Sequence, residues 1–289
     1  MKPLHLLAAI LSFVVAASVH AQGLPPLGGL EASKPAGTSA SGSLSVDAAN
    51  ADLKTARTAN AEKRYADAET LMRRDTTARP DLVYLWVELG LSQLGQKKYD
   101  EAEASFKSAM ANNGGNEKTK AVEGFFTADG RGTRSGNSIS EQPTGTAKRL
   151  PEIDGISKSS LGEIYIRTGK VAEAKAAFDQ AAAAYPQQAP LYYRNEAVFF
   201  LQAGNAVEQV AAAEKAIAID PTRAALYFYK GQGLAAQASV DAKTQKLILP
   251  AGCAEALQKY LDLEPTGQYA PDTKALLAAA GITPKPAKK

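Results

Sequence analysis

Apolar residues recur every three or four positions along most of the chain from Ala49 onward. In the stretch WVELGLSQLGQKKYDEAEASFKSA (86–109), one apolar stripe begins at Trp86 and a second ends at Ala109. This spacing is typical of amphipathic helices, because residues three and four apart share one helical face. Strand-like sequence is almost absent until the run KLIL at 246–249. The pattern predicts an all-α fold built from short helix pairs.

The same pattern returns with a period of about 34 residues, the distance from Ala68 to Ala102. It predicts units at 49–82, 83–116, 155–188, about 190–223 and a last one from Tyr227 to Pro265. One helix pair cannot bury its apolar faces alone, so repetition at this period indicates stacked pairs in a solenoid.

The repeated motif resembles that of tetratricopeptide repeats, a 34-residue helix-turn-helix with W-x2-L-G-x2-Y, then A-x3-F, then Pro. The clearest matches are Trp86, Leu89, Gly90, Tyr99, Ala102 and Phe106 in the second unit, and Leu161, Gly162, Tyr165, Ala174, Phe178 and Pro186 in the third. Gln209 departs from the pattern, because it stands where a small residue is usual. The resemblance implies an all-α solenoid of about five helix-turn-helix units plus a C-terminal capping helix at 271–280.

The segments outside the repeats differ in composition. Residues 1–21 are typical of a cleaved signal peptide, with Lys2, an apolar run and a small-residue cleavage pattern ending at Ala21. A retained membrane anchor is the alternative, but the run is shorter than the ~20 residues that span a bilayer. Residues 22–46 are rich in Gly, Pro, Ser and Ala, and predict a flexible linker.

Two insertions and a tail complete the predicted organisation. Residues 117–154, between the two units at 47–116 and the three at 155–281, are polar and Gly-rich, and predict a mobile insertion. Residues 239–252 predict a small hairpin inside the last unit. Residues 282–289 form a basic tail.

The residue inventory argues against catalysis and metal binding. The only histidines, His5 and His20, lie in the predicted signal peptide, so the cleaved chain would contain none. Ser-His and Cys-His nucleophile pairs are then impossible, and zinc sites lose their main nitrogen donor. The glycines at 130–136 lack the phosphate-loop motif. We therefore expect no catalytic residue, no cofactor and no metal.

Net charge and cysteine content exclude one class of partner and one kind of cross-link. A net charge of +3 gives no electrostatic case for nucleic acid. The single cysteine, Cys253, excludes an internal disulfide. It falls at the small-residue position of the repeat, so we interpret it as structural, with a reactive or bridging thiol as the alternative.

Tetratricopeptide-repeat proteins build their concave surface mainly from the first helices, at positions 2, 5, 9, 12 and 13 of each unit. Carried over to this sequence, the resemblance implies the groove residues Asn50, Arg57, Asn60, Tyr84, Glu163, Arg167, Arg194, Gln202, Phe228 and Gln232. This polar set with scattered aromatics suits an extended peptide or a helix laid in a groove. The Lys/Asn carboxylate clamp of chaperone-binding members is not reproduced. The alternative is that these side chains only solvate a curved scaffold.

The leading functional hypothesis is a non-catalytic protein–protein interaction scaffold, exported to the periplasm or secreted. Its partner would be a protein or peptide, without nucleic acid and without stable membrane insertion once the signal is cleaved. Self-association stays open, so the first alternative is a self-assembling structural component of the cell envelope. The second is an accessory arm of a cell-wall-acting enzyme system.

Overall fold

The computed structural model describes residues 44–114 and 149–285, in which eleven helices form. They are α1 Val46–Ala61, α2 Tyr65–Ala78, α3 Val83–Gly95, α4 Tyr99–Asn112, α5 Pro151–Arg167, α6 Val171–Ala184, α7 Ala189–Gln202, α8 Ala206–Ile219, α9 Ala224–Ala235, α10 Cys253–Leu263 and α11 Ala270–Ala279. A 3-10 turn, Pro186–Gln188, precedes α7. The first ten helices form five successive pairs, and α11 packs on α10. The predicted all-α solenoid of five units plus a capping helix is confirmed.

Glycines in the first helices let the two helices of a pair approach closely. A Cβ built on Gly90 of α3 would lie 2.8 Å from Cε1 of Phe106 in α4. In the next pair, a Cβ on Gly162 would lie 2.5 Å from Cε2 of Phe178. Both rings are fully buried, so each of these two pairs has an aromatic residue at the centre of the interface between its helices.

The pairs stack in order along the chain. Each second helix packs on the first helix of the next pair, and the first helices α1, α3, α5, α7 and α9 also contact one another successively. One surface of the solenoid is therefore made by first helices and the other by second helices, an arrangement that gives repeat proteins their extended binding surface.

The array is continuous across the predicted insertion. Asn113 accepts a hydrogen bond from the backbone N–H of Leu150 (2.9 Å) and donates one to its carbonyl oxygen (2.8 Å). Arg149 donates to the Asn113 carbonyl oxygen (3.1 Å) and to Asp154 Oδ1 (2.7 Å). We call these four residues the clasp. It joins the two ends of residues 115–148 at one point, which leaves α5 packed on α4.

Two predicted boundaries need correction. The insertion does not extend to residue 154, because α5 begins at Pro151, whose fixed φ suits the first helical position. The linker does not extend to residue 46, because Val46 begins α1 and Ser45 caps it by accepting a hydrogen bond from the Ala48 N–H at 3.2 Å. The predicted signal peptide and the rest of the linker lie outside the described residues, as do the rest of the insertion and residues 286–289.

The hairpin predicted inside the last unit is confirmed. Strands β1 Ser239–Val240 and β2 Leu247–Ile248 pair antiparallel. The carboxylate of Asp241 accepts hydrogen bonds from two backbone N–H groups of the turn, at 2.9 and 2.7 Å. After α11, Gly281 has a φ of +74°, the left-handed conformation that commonly ends helices.

Cys253 is fully buried, like Ala68, Ala102 and Ala174 at the same repeat position. Its Sγ donates to the Gly231 carbonyl oxygen at 3.3 Å, and burial raises the pKa of the thiol to about 11. The structural interpretation of Cys253 is confirmed. Across residues 44–114 and 149–285, every helix is too short or too polar to cross a bilayer.

Candidate functional site

All ten predicted groove residues lie on first helices, but they differ in exposure. Four are buried, with exposed fractions of 2% for Tyr84 and Phe228, 4% for Gln232 and 8% for Arg194. The remaining six are partly or fully exposed: Asn50, Arg57, Asn60, Glu163, Arg167 and Gln202. Of the predicted groove residues, only these six are therefore accessible at the surface of the first helices, and the other four are packed inside.

A polar network joins α1 to α3 at the N-terminal end of this surface. Arg57 Nε lies 3.3 Å from Oε2 of the buried Glu88, and Asn60 donates to Glu88 Oε1 at 2.7 Å. Asn60 also donates to Ser92 Oγ at 3.0 Å. Sequence reasoning missed Glu88, although a lone carboxylate within the apolar run VYLWVELGL was a signal. The two predicted residues here are held by side chains of the protein itself.

Tyr84 connects the units on either side of the insertion. Its hydroxyl donates to Glu152 Oε1 of α5 at 3.1 Å. Burial and the negative charge of Glu152 both raise the pKa of this hydroxyl. Because its ring is in the core, Tyr84 stabilises the stack and offers little surface to a ligand.

The exposed residues of the central surface interact between α5 and α7. Arg167 forms an ion pair with Glu163 one turn earlier (2.7 Å) and donates to Gln202 at 3.4 Å. Its guanidinium also lies 5.7 Å from the centre of the Phe199 ring. The structure thus brings three of the predicted residues together.

The C-terminal end of the surface is covered by a residue from outside the repeats. The ring of Tyr269, just before α11, stacks on Phe228 with centroids 4.2 Å apart and 4° between the planes. Its hydroxyl is 3.0 Å from that of Tyr229, and its backbone N–H donates to Tyr260 Oη at 2.9 Å. Sequence reasoning missed Tyr269, because the repeat frame ends at Pro265.

Arg194 and Gln232 lie on the neighbouring first helices α7 and α9, which pack together. Gln232 Oε1 is buried and accepts no hydrogen bond from any described residue. Burial raises the pKa of the Tyr269 hydroxyl, and the positive charge of Arg194 opposes part of this effect. The Arg194 guanidinium therefore lies close enough to Tyr269 to favour ionisation of its hydroxyl.

A second cluster of charges lies where α7 meets the second helices. Glu196 of α7 is 1% exposed, and its Oε2 is 3.9 Å from Lys215 Nζ of α8. Lys215 also pairs with Asp179 of α6 at 2.6 Å and lies over the Tyr193 ring. Burial raises the pKa of Glu196 to about 7, although attraction to Lys215 lowers it in part.

A comparison with known protein families identifies two of the repeat units. Residues 160–224 match the family model for the tetratricopeptide repeat, over the third and fourth units. This part of the chain consists of tetratricopeptide repeats. No curated protein matches its sequence.

Several solved structures are similar to this chain. PilW, described as a widely conserved type IV pilus biogenesis factor, is 16% identical over 77% of this chain and 80% of its own, with a TM-score of 0.49. YrrB, described as having an unusual peptide-binding site, is 13% identical over 78% and 90%, with a TM-score of 0.43. A protein described as a thermophilic tetratricopeptide-repeat protein from Thermus thermophilus is 13% identical over 80% of this chain and 97% of its own, with a TM-score of 0.44.

The chemistry of the surface favours recognition of polar groups. Its partly or fully exposed groups include the guanidinium groups of Arg57 and Arg167, the amides of Asn60 and Gln202, and the aromatic rings of Phe199 and Tyr269. In the described part of the chain, no cluster of three or more His, Cys, Asp or Glu side chains is arranged to hold a metal ion.

Proposed function

We propose that the protein is a non-catalytic scaffold that binds a segment of a partner protein along the surface of its first helices. The observation that carries this is the unbroken contact from α1 through α3, α5 and α7 to α9. Because the clasp keeps α5 against α4, the surface is not interrupted at the insertion. Stacked repeats that expose polar and aromatic groups along one continuous surface suit an extended or helical ligand.

We further propose that the protein acts in the periplasm or is secreted. The support is the sequence of residues 1–21, with a basic start, an apolar run and a cleavage pattern ending at Ala21. Fractionation of cells that express the full chain, with N-terminal sequencing of the exported product, tests this. A product that stays in the cytosol with residues 1–21 attached would contradict it.

Selection of peptides from a random display library against the full chain tests the binding function. Selected peptides are then measured by fluorescence anisotropy against wild type and the surface variants Arg167→Ala and Gln202→Ala. Lys259→Ala, an exposed change on the second helix α10, is the matched control. We expect the two surface variants to weaken binding several-fold and the control to leave it unchanged.

The same experiment has two contrary outcomes. Failure to select any binding peptide overturns the proposed function. Selected peptides whose affinity falls with Lys259→Ala, and not with the first-helix variants, would place recognition on the second helices and overturn the proposed site.

A further inference from the structure

Glu196 occupies a position at which two other units have leucine. Leu89 of α3 and Leu161 of α5 each directly precede the glycine that contacts the buried aromatic ring of their pair, and both leucines are buried. Glu196 of α7 directly precedes the buried Ala197, and it is 1% exposed. A carboxylate at an apolar position of the repeat is costly, because burial removes its hydration. Such a departure from the pattern of a fold is typical of residues that do more than pack.

Charged side chains of both neighbouring second helices face Glu196. They are Lys175 and Asp179 of α6, and Glu208 and Lys215 of α8. Two ion pairs join these helices: Lys175 pairs with Glu208 at 2.7 Å, and Lys215 pairs with Asp179 at 2.6 Å. Each ion pair is neutral, so an ionised Glu196 adds an uncompensated negative charge between α6 and α8.

The helices α5 and α9 also pack on α7. Their charged residues are Glu152, Asp154, Lys158, Glu163 and Arg167 of α5 and Lys230 of α9. Arg167 pairs with Glu163, and Lys230 pairs with Glu214 of α8. On α7 itself, the Tyr193 ring lies under Lys215, with Nζ 5.0 Å from its centre. Among the described residues, Lys215 is the only cation within 4 Å of the Glu196 carboxylate.

Lys215 has two carboxylates within reach, and they differ in their access to water. Its Nζ lies 2.6 Å from Asp179 Oδ1 and 3.9 Å from Glu196 Oε2. The Asp179 side chain is 52% exposed, so water can solvate its charge when Lys215 leaves. Glu196 Oε2 is buried and accepts no hydrogen bond from any described residue. Because Coulomb attraction is stronger away from water, an ionised Glu196 gains more from the lysine than Asp179 does.

We propose that Lys215 changes its partner when Glu196 ionises: it pairs with Asp179 while Glu196 is neutral and moves to Glu196 when that carboxyl is charged. The lysine side chain is flexible, and its ammonium needs to move only about 1 Å to reach hydrogen-bond distance from Glu196. The move breaks one of the two ion pairs between α6 and α8 and leaves the pair of Lys175 with Glu208. The third and fourth units are therefore held together less firmly on the second-helix side when Glu196 is charged.

The change of partner falls near neutral pH. Burial raises the pKa of Glu196 to about 7, and attraction to Lys215 lowers it in part. Glu196 is therefore mainly neutral at pH 5.5 and mainly charged at pH 8.5. These two conditions should show the two arrangements of Lys215.

Crystal structures of the wild-type protein at pH 5.5 and pH 8.5 test the proposal directly. Lys215 Nζ should lie within about 3 Å of Asp179 at pH 5.5 and within about 3 Å of Glu196 at pH 8.5. The variant Glu196→Leu carries the residue of the other units at this position, so its Lys215 should stay on Asp179 at both pH values. A wild-type structure at pH 8.5 with Lys215 still on Asp179 overturns the proposal.

Urea unfolding gives a second measurement, which needs no crystals. At pH 5.5, Asp179→Asn should lower the urea midpoint by about 0.2–0.5 M, the usual effect of losing a partly exposed ion pair. At pH 8.5 it should leave the midpoint unchanged or raise it slightly, because Lys215 is then on Glu196 and Asp179 only repels that carboxylate. Glu208→Gln removes the other ion pair, so this matched control should lower the midpoint at both pH values.

Two results of the unfolding experiment contradict the change of partner. The first is an equal loss for Asp179→Asn at pH 5.5 and pH 8.5. The second is a loss that still depends on pH when Asp179→Asn is combined with Glu196→Gln, because the glutamine cannot ionise. The wild-type crystal structures keep the proposal testable even if a variant does not fold.

Discussion

The Phe178 ring fills the space in which a side chain at Gly162 would lie, with only 2.5 Å between Cε2 and an ideal Cβ. Gly162→Ala should therefore lower the free energy of unfolding by about 1–2 kcal/mol. The gain in helix propensity of about 1 kcal/mol is smaller than the cost of overpacking a buried ring. Urea unfolding followed by circular dichroism measures the change.

Phe178→Leu supplies the control for this substitution. It removes the ring that an alanine at position 162 would strike, so the double variant should lose less stability than the sum of the two single variants. Additive losses would show that the ring moves away without cost, which would contradict the close packing.

The clasp predicts different effects for two adjacent asparagines. Asn113→Ala removes both side-chain hydrogen bonds to Leu150 and should cost about 1–3 kcal/mol of stability. Asn112→Ala removes only a hydrogen bond to Ser108 within α4 and should cost about 0.5 kcal/mol or less. Thermal melts of the two variants make the comparison. Equal losses would mean that the clasp does not hold α5 against α4.

Glu196 predicts a loss of stability on going from acid to neutral pH. Burial raises its pKa from 4.5 to about 7, so the folded state holds the proton more tightly than the unfolded state. This stabilisation, on the order of 3 kcal/mol, is present below about pH 4.5 and disappears as the pH rises through about 7. Glu196→Gln stays neutral and should remove this dependence in urea unfolding at pH 4.5, 6 and 7.5. An unchanged pH profile would contradict the assignment.

For Glu69 we expect the opposite pH dependence, with stability lost in acid. Burial acts to raise its pKa, but hydrogen bonds from Lys98, Gln96 and Arg73 outweigh this and lower it to about 2. Its contribution is therefore present above about pH 4.5 and is lost as the pH falls toward 2. Glu69→Gln should lower stability at pH 7 by about 1–3 kcal/mol and converge with wild type in acid. A variant as stable as wild type at pH 7 would show that the network contributes nothing.

Cys253 should be inert in the folded chain. It is fully buried and its pKa is raised to about 11, so little thiolate forms at pH 8. Ellman's reagent should react slowly with native protein and at once in denaturant. Cys253→Ala should fold with a loss of about 1 kcal/mol or less, because alanine occupies the equivalent position in three other units. Rapid labelling of the native state would contradict this picture.

The helix pairs were predictable from the sequence because their packing depends on local spacing of small and apolar residues. Gln209 shows where that reasoning stops. It stands at a small-residue position, yet it is buried, and its amide donates to the Tyr229 carbonyl oxygen at 2.7 Å. Gly233 makes the room, since a Cβ there would lie 3.1 Å from the Gln209 side chain. That compensation joins two helices of different units, so no single repeat contains it.

The details of the candidate site were less predictable. The groove residues were selected by their position within each repeat unit, and this position did not show that Tyr84 and Phe228 would be buried. Arg57 and Glu88 are 31 residues apart, and the repeat motif does not show that they interact. Tyr269 covers Phe228 from a segment outside the repeat frame. These contacts depend on the curvature with which the helices stack, which the repeat motif does not encode.

The clasp has a consequence for how this protein can be altered. Hydrogen bonds between Asn113 and Leu150 hold the two ends of residues 115–148 together, so this segment is attached to the solenoid at one place. The entropy of closing a loop grows only slowly with its length. A fluorescent domain spliced between Gly114 and Arg149 should therefore leave the superhelix on both sides unchanged, giving a reporter built into the middle of the array.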